Sequence, residues 1–183
     1  IISKTKMSDL IRLKLIYTYG GIWLDATVLV RAFQFFQEIL PSTETSPEAY
    51  IANYTRSEAH APRLGIGGNW FLAGKAMNHW AGHMTACLEA LLAQKPGGIH
   101  YFDSFHIAAL LDEKCNACRN SFEVPDKTYD FEAFHKFLLA DDKKRASESW
   151  QSSFVHKLSY KTFVFDQNYE RFFDDLMAAS PRR

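Results

Sequence analysis

Leu10, Leu13 and Tyr17 recur at helical spacing along one face of a segment that opens with Ser8-Asp9, and the pattern stops at Gly20-Gly21. Ser8 is expected to cap this helix, Asp9 to complement its positive end, and Gly20 to take the left-handed position that ends it. The run Ile22-Trp23-Leu24 then predicts a short buried strand that delivers Asp25 to its carboxyl end, where open α/β sheets bind their ligands. A second stripe, Trp80, Met84, Cys87, Leu88, Leu91 and Leu92, predicts a helix capped by Asn78 and ended by Pro96-Gly97-Gly98. Further helices are expected over 104–111, 130–139 and 166–178, strands over 49–54 and 70–73, a short amphipathic segment over 31–40, and loops over 41–47 and 61–68. Strands interleaved with helices predict an α/β class.

Composition narrows the functional classes. The chain has 183 residues, 47% of them hydrophobic, enough for one substantial core, and residues 1–183 read as a single domain. Its 21 basic and 21 acidic residues cancel, which leaves no global field to attract a nucleic-acid backbone. No apolar run approaches the roughly 20 residues needed to cross a bilayer, and Ile1-Ile2-Ser3-Lys4 does not open a signal peptide.

The stretch Ser8-Asp9-Leu10-Ile11-Arg12, followed by Gly20-Gly21-Ile22-Trp23-Leu24-Asp25, resembles the core motif of the GT-A glycosyltransferases related to capsular polysaccharide synthesis proteins and to DXD-containing glycosyltransferases. Weaker likenesses follow at 69–73 and 155–161. The resemblance implies a Rossmann-like GT-A fold with the Ile22–Leu24 strand in the middle of the sheet. It also implies transfer of a sugar from a nucleotide-sugar donor to a capsular or other cell-surface polysaccharide. The alternative is a catalytically inactive GT-A domain that binds a glycan or a protein. Relatives carry a βα segment before this motif, so the chain is expected to lack that segment, to be a fragment, and to associate with itself through an exposed sheet edge. A cytoplasmic place at the inner membrane face, with peripheral membrane association, is the matching expectation.

By the same resemblance, Asp9, Arg12, Gly21, Asp25, Thr27, Asn69 and Lys161 bind the donor, Asp103 reaches the acceptor, and His156 with Lys157 stabilises the leaving diphosphate beside Asp25. Departure of a nucleoside diphosphate builds negative charge, which basic side chains or a metal must meet. Asp25 stands as the first carboxylate of the DXD motif and implies a divalent cation, Mn or Mg, but Thr27 occupies the second position. A hydroxyl is a weaker ligand than a carboxylate, so the cation is expected to bind weakly. Read without the resemblance, Asp9 and Arg12 are a solvated i, i+3 ion pair, and Asp103 caps the helix that begins beside it.

Three cysteines make no disulfide framework. Cys115-Asn116-Ala117-Cys118 reads as ordinary thiols in a turn; structural zinc there would need two more ligands, with Cys87 and a histidine as the obvious supply. His79 and His83 share a helix face, but Trp80-Ala81-Gly82 between them holds no glutamate, which argues against a zinc hydrolase.

Overall fold

A computed structural model describes residues 4–31, 36, 50–52, 70–95, 100, 103–120, 122–123, 132–153, 155–158 and 167–179. Most of the expected 31–40 segment, the 41–47 and 61–68 loops, Asn69 and Lys161 lie outside them. The described elements are mixed α/β, mostly helices with small sheets. Contacts divide the chain into two compact units, one made of Ile1–Leu24 and Ile39–Thr128, the other of Asp25–Glu38 and Tyr129–Arg183.

In the first unit, α1 (Lys4–Tyr19) precedes β1 (Gly21–Leu24), β3 (Tyr50–Ala52) and β4 (Phe71–Gly74), followed by α2 (His79–Gln94), α3 (Asp103–Lys114), α4 (Asn116–Asn120) and β5 (Phe122–Glu123). The strand order is β1-β4-β3-β5, antiparallel except for the parallel β3–β5 pair. Among the described residues β1 is therefore an edge strand, not the central one that the resemblance implied. Its residues Ile22, Trp23 and Leu24 are half-buried, whereas all four residues of β4 are buried. Leu13 and Ile16 of α1, Leu72 of β4, and Trp80, Met84, Leu88 and Leu92 of α2 form the core, joined by Ala108 and Cys118. Asn78 caps α2 by accepting the Ala81 N–H at 3.1 Å. At Gly82 a Cβ would come within 2.8 Å of the Tyr17 ring, so the glycine lets α1 and α2 approach closely.

α1 starts four residues before the expected cap, which puts Ser8 inside the helix. Its C-terminus follows the expectation: Gly20 has φ +68°, and its N–H donates to the Ile16 carbonyl at 2.8 Å. A side chain at Gly20 would also strike the Ala76 backbone nitrogen at 2.7 Å.

The second unit pairs β2 (Val28–Val30) with β6 (Val155–Lys157), antiparallel, and adds α5 (Ala133–Leu139), α6 (Lys143–Ser152) and α7 (Gln167–Ala179). Phe134 and Leu138 of α5, Ala146 and Trp150 of α6, and Leu176 of α7 form its core. Between α5 and α6 the chain reverses at Asp141, which has φ +54°, and Asp142 caps α6 by accepting the Arg145 N–H at 3.1 Å. Arg31, just past β2, donates to the Ser153 carbonyl at 2.9 Å.

Candidate functional site

The first unit carries a charged cluster that includes Asp9 and Arg12, which the resemblance assigned to the donor and which, read without it, form a solvated ion pair. Lys6, Asp9 and Arg12 repeat every three residues on one face of α1, and they are only 2%, 8% and 8% exposed. The Asp9 carboxylate lies 3.7 Å from the Lys6 ammonium and 3.7 Å from the Arg12 guanidinium. Lys6 donates to the Ser104 hydroxyl at 3.0 Å, and that hydroxyl donates to Asp9 at 3.5 Å. Arg12 donates to the Ser8 hydroxyl at 2.8 Å and to the Ser8 carbonyl at 3.2 Å, and its guanidinium lies 5.5 Å from the centre of the Trp23 ring. Burial of these charges is tolerable because each has partners. Lys6 and Ser104 were not singled out from the sequence. The spacing of Lys6, Asp9 and Arg12 was the available signal for the lysine.

The second unit carries the other cluster. After β1, the Val28 N–H donates to the Asp25 carbonyl at 2.9 Å, which closes a tight turn and brings Asp25 and Thr27 to the start of β2. β6 runs alongside in the register Val28↔Lys157, and the Leu158 N–H donates to the Thr27 carbonyl at 2.9 Å. Register puts the Lys157 side chain over the turn. Its ammonium donates to the Thr27 hydroxyl and lies 3.8 Å from the Asp25 carboxylate, with the Lys157 and Asp25 side chains 19% and 27% exposed. Asp25, Thr27 and Lys157 are thus brought together and remain accessible to water. This set does not suit Mn or Mg. A divalent cation here would meet one carboxylate and a hydroxyl that both already face an ammonium, whereas such ions need several oxygen ligands.

His156 is placed otherwise than its expected role requires. Neighbouring strand residues point to opposite faces, so with Lys157 outward His156 turns into the core, where it is fully buried. Its ring stacks on Trp150 at 4.8 Å with an interplanar angle of 16°, and lies 4.9 Å from the Phe134 ring. Among the described residues neither ring nitrogen finds a hydrogen-bond partner. Burial lowers its pKa from the ordinary 6.5 to about 4, with Arg31 adding to the effect; nearby backbone of Trp150 and Ser153 pulls the other way without closing a well-formed hydrogen bond. A neutral, enclosed imidazole cannot reach a leaving phosphate.

The remaining candidates are scattered. Gly21 has φ +91° with open space where a side chain would start. Asp103 is the first residue of α3, and its carboxylate accepts the N–H of His100, which lies ahead of the helix, at 2.6 Å. His79 and His83 are exposed on α2. Cys115 and Cys118 do not lie as ordinary thiols: they are joined by a disulfide, and Cys87 is a free, half-buried thiol. Among the described residues no helix is long and apolar enough to cross a membrane.

A family model described as capsular polysaccharide synthesis protein matches residues 1–176. No curated protein and no solved structure matches the chain.

Proposed function

Because this chain belongs to the capsular polysaccharide synthesis protein family, we propose that it is a glycosyltransferase of GT-A type, moving a sugar from a nucleotide donor to a growing cell-surface polysaccharide. The observation that carries this reading is the accessible Asp25–Lys157 pair, 3.8 Å apart, at the turn that follows the Gly-Gly-Ile-Trp-Leu-Asp motif. Sugar transfer breaks the bond between the anomeric carbon and a diphosphate oxygen and forms one to an acceptor hydroxyl oxygen, whose proton leaves with the departing phosphate. The leaving oxygens gain negative charge as that bond breaks. Lys157 is suited to meet the charge, since an ammonium on a flexible stem binds phosphate as a point charge. Asp25 is suited to accept hydrogen bonds from ribose or sugar hydroxyls, which fixes the donor's orientation.

Positive charge on Lys157 takes the place that a metal would fill beside two carboxylates, so in this reading the lysine meets the charge on the diphosphate. Asp9 and Arg12 frame α1 in this reading, because their charged atoms are engaged with Lys6, Ser8 and Ser104. The test is thermal shift and product formation across a panel of nucleotide-sugars, with Lys157→Met beside the parent protein. Binding and transfer that fall together in the variant support the proposal. Glycan binding without turnover of any nucleotide-sugar would instead favour an inactive, sugar-binding domain.

A further inference from the structure

The proposed transfer uses neither α2 nor the Cys115-Asn116-Ala117-Cys118 segment, yet side chains from both converge. His83 of α2 and the two sulfurs at the α3–α4 junction have their ligand atoms all within 4.8 Å of one another. We propose that Cys115 and Cys118, in their reduced form, bind one zinc ion together with His83. In a tetrahedral zinc site, metal–ligand bonds of 2.0 to 2.3 Å put neighbouring ligand atoms about 3.5 to 3.8 Å apart, so the three need only small movements once the disulfide opens. Two soft thiolates and an imidazole are a donor set that selects zinc over hard cations such as Mg.

Two local features favour the ion. The Cys118 N–H already points at the Cys115 sulfur, 3.2 Å away, and a backbone donor of this kind stabilises a thiolate ligand. Burial is graded, with Cys118 in the core, Cys115 half-buried and His83 exposed, so the site is anchored on one side and open to incoming metal on the other. The fourth position falls to water. Cys87, one turn beyond His83 on α2, stands outside the trio. The bound ion would tie α2 to the α3–α4 junction across the core of the first unit.

Reduction and metal binding balance simply. A phosphine, converted to its oxide with oxygen from water, breaks the sulfur–sulfur bond and leaves two thiols, each of which loses a proton when the divalent ion binds. The experiment titrates phosphine-reduced protein with Co²⁺ as an optical stand-in for zinc, then displaces it with Zn²⁺. One equivalent bound, with a thiolate-to-cobalt charge-transfer band that the oxidised protein lacks, is the expected result. His83→Ala, an exposed change that leaves the core intact by circular dichroism, should weaken binding at least about tenfold, a loss usual even for an outer-shell partner. Cys87→Ser should bind as the parent does. A reduced parent protein without the band, or His83→Ala with unchanged affinity, would overturn the site; loss of binding in Cys87→Ser would overturn the ligand set.

Discussion

On α1 a carboxylate sits between two cations in a buried network, whereas at the turn after β1 a carboxylate and an ammonium face each other in partial contact with water. The two carboxylates, Asp9 and Asp25, belong to the same motif, and both clusters draw on the same kinds of side chain. The difference lies in what the surroundings allow. Asp9 has Lys6, Arg12 and Ser104 around it, so a change there is felt as instability. Asp25 and Lys157 keep contact with solvent, so their pairing contributes little to stability and can be exchanged for contacts to a ligand.

The largest expected effect tests the first half of that contrast. Asp9→Ala leaves two buried cations without their shared anion and should destabilise the protein by about 3–5 kcal/mol in urea unfolding. A loss below about 1 kcal/mol would mean that the cluster is open to water after all. Next comes a pH effect from the core of the second unit. His156 has its folded pKa depressed from 6.5 to about 4, so the unfolded chain takes up the proton first. Its contribution is therefore fully present above pH 6.5, is lost as the pH falls toward 4, and changes no further below that. The loss should be roughly 3 kcal/mol, and His156→Phe should flatten that part of the stability profile. An identical profile in the variant would remove His156 as its cause.

Asp25→Asn sharpens the other half. It should lower sugar transfer about a hundredfold, near 2.7 kcal/mol, while the unfolding midpoint stays close to that of the parent. A parallel fall in stability would erase the distinction between the two clusters. Gly20→Ala is the mildest change, at about 2 kcal/mol, because it combines a left-handed backbone with a clash at the Ala76 nitrogen. Since Gly20 ends the helix that holds Asp9, thermal unfolding should register this change before donor affinity does.

What the sequence made legible was local. α2 followed from its apolar stripe and its asparagine cap, and the end of α1 from two glycines, because caps and periodicity act within a turn or two. The edge position of β1 was not legible, since a short apolar run looks the same in the middle of a sheet as at its rim, and the partner β4 lies far along the chain. α6 escaped notice because only Ala146 and Trp150 in Lys143–Ser152 are apolar, and the capping Asp142 was its one clear sign. Asp25, Thr27 and Lys157 were each named in advance. Their meeting depends on the β2–β6 register, which nothing in either segment alone dictates. His156 and Lys157 illustrate the limit: their adjacency in sequence suggested a common task, and the pleat of a strand separates them. The cysteine pair was visible by spacing, but His83 could be joined to it only through the packing of α2 on the α3–α4 junction.

The second unit is assembled from two distant pieces of chain, Asp25–Glu38 and Tyr129–Arg183. During synthesis Asp25 and Thr27 leave the ribosome before Lys157, which bonds to Thr27 from 130 residues further along. Pairing β2 with β6 requires closing that long loop, a slow, non-local step that follows the local helices. A nascent chain halted before Tyr129 would hold the carboxylate and the hydroxyl but no lysine to face them. The accessible pair is thus completed only after translation has passed Lys157, so its formation reports that both pieces of the unit have been made.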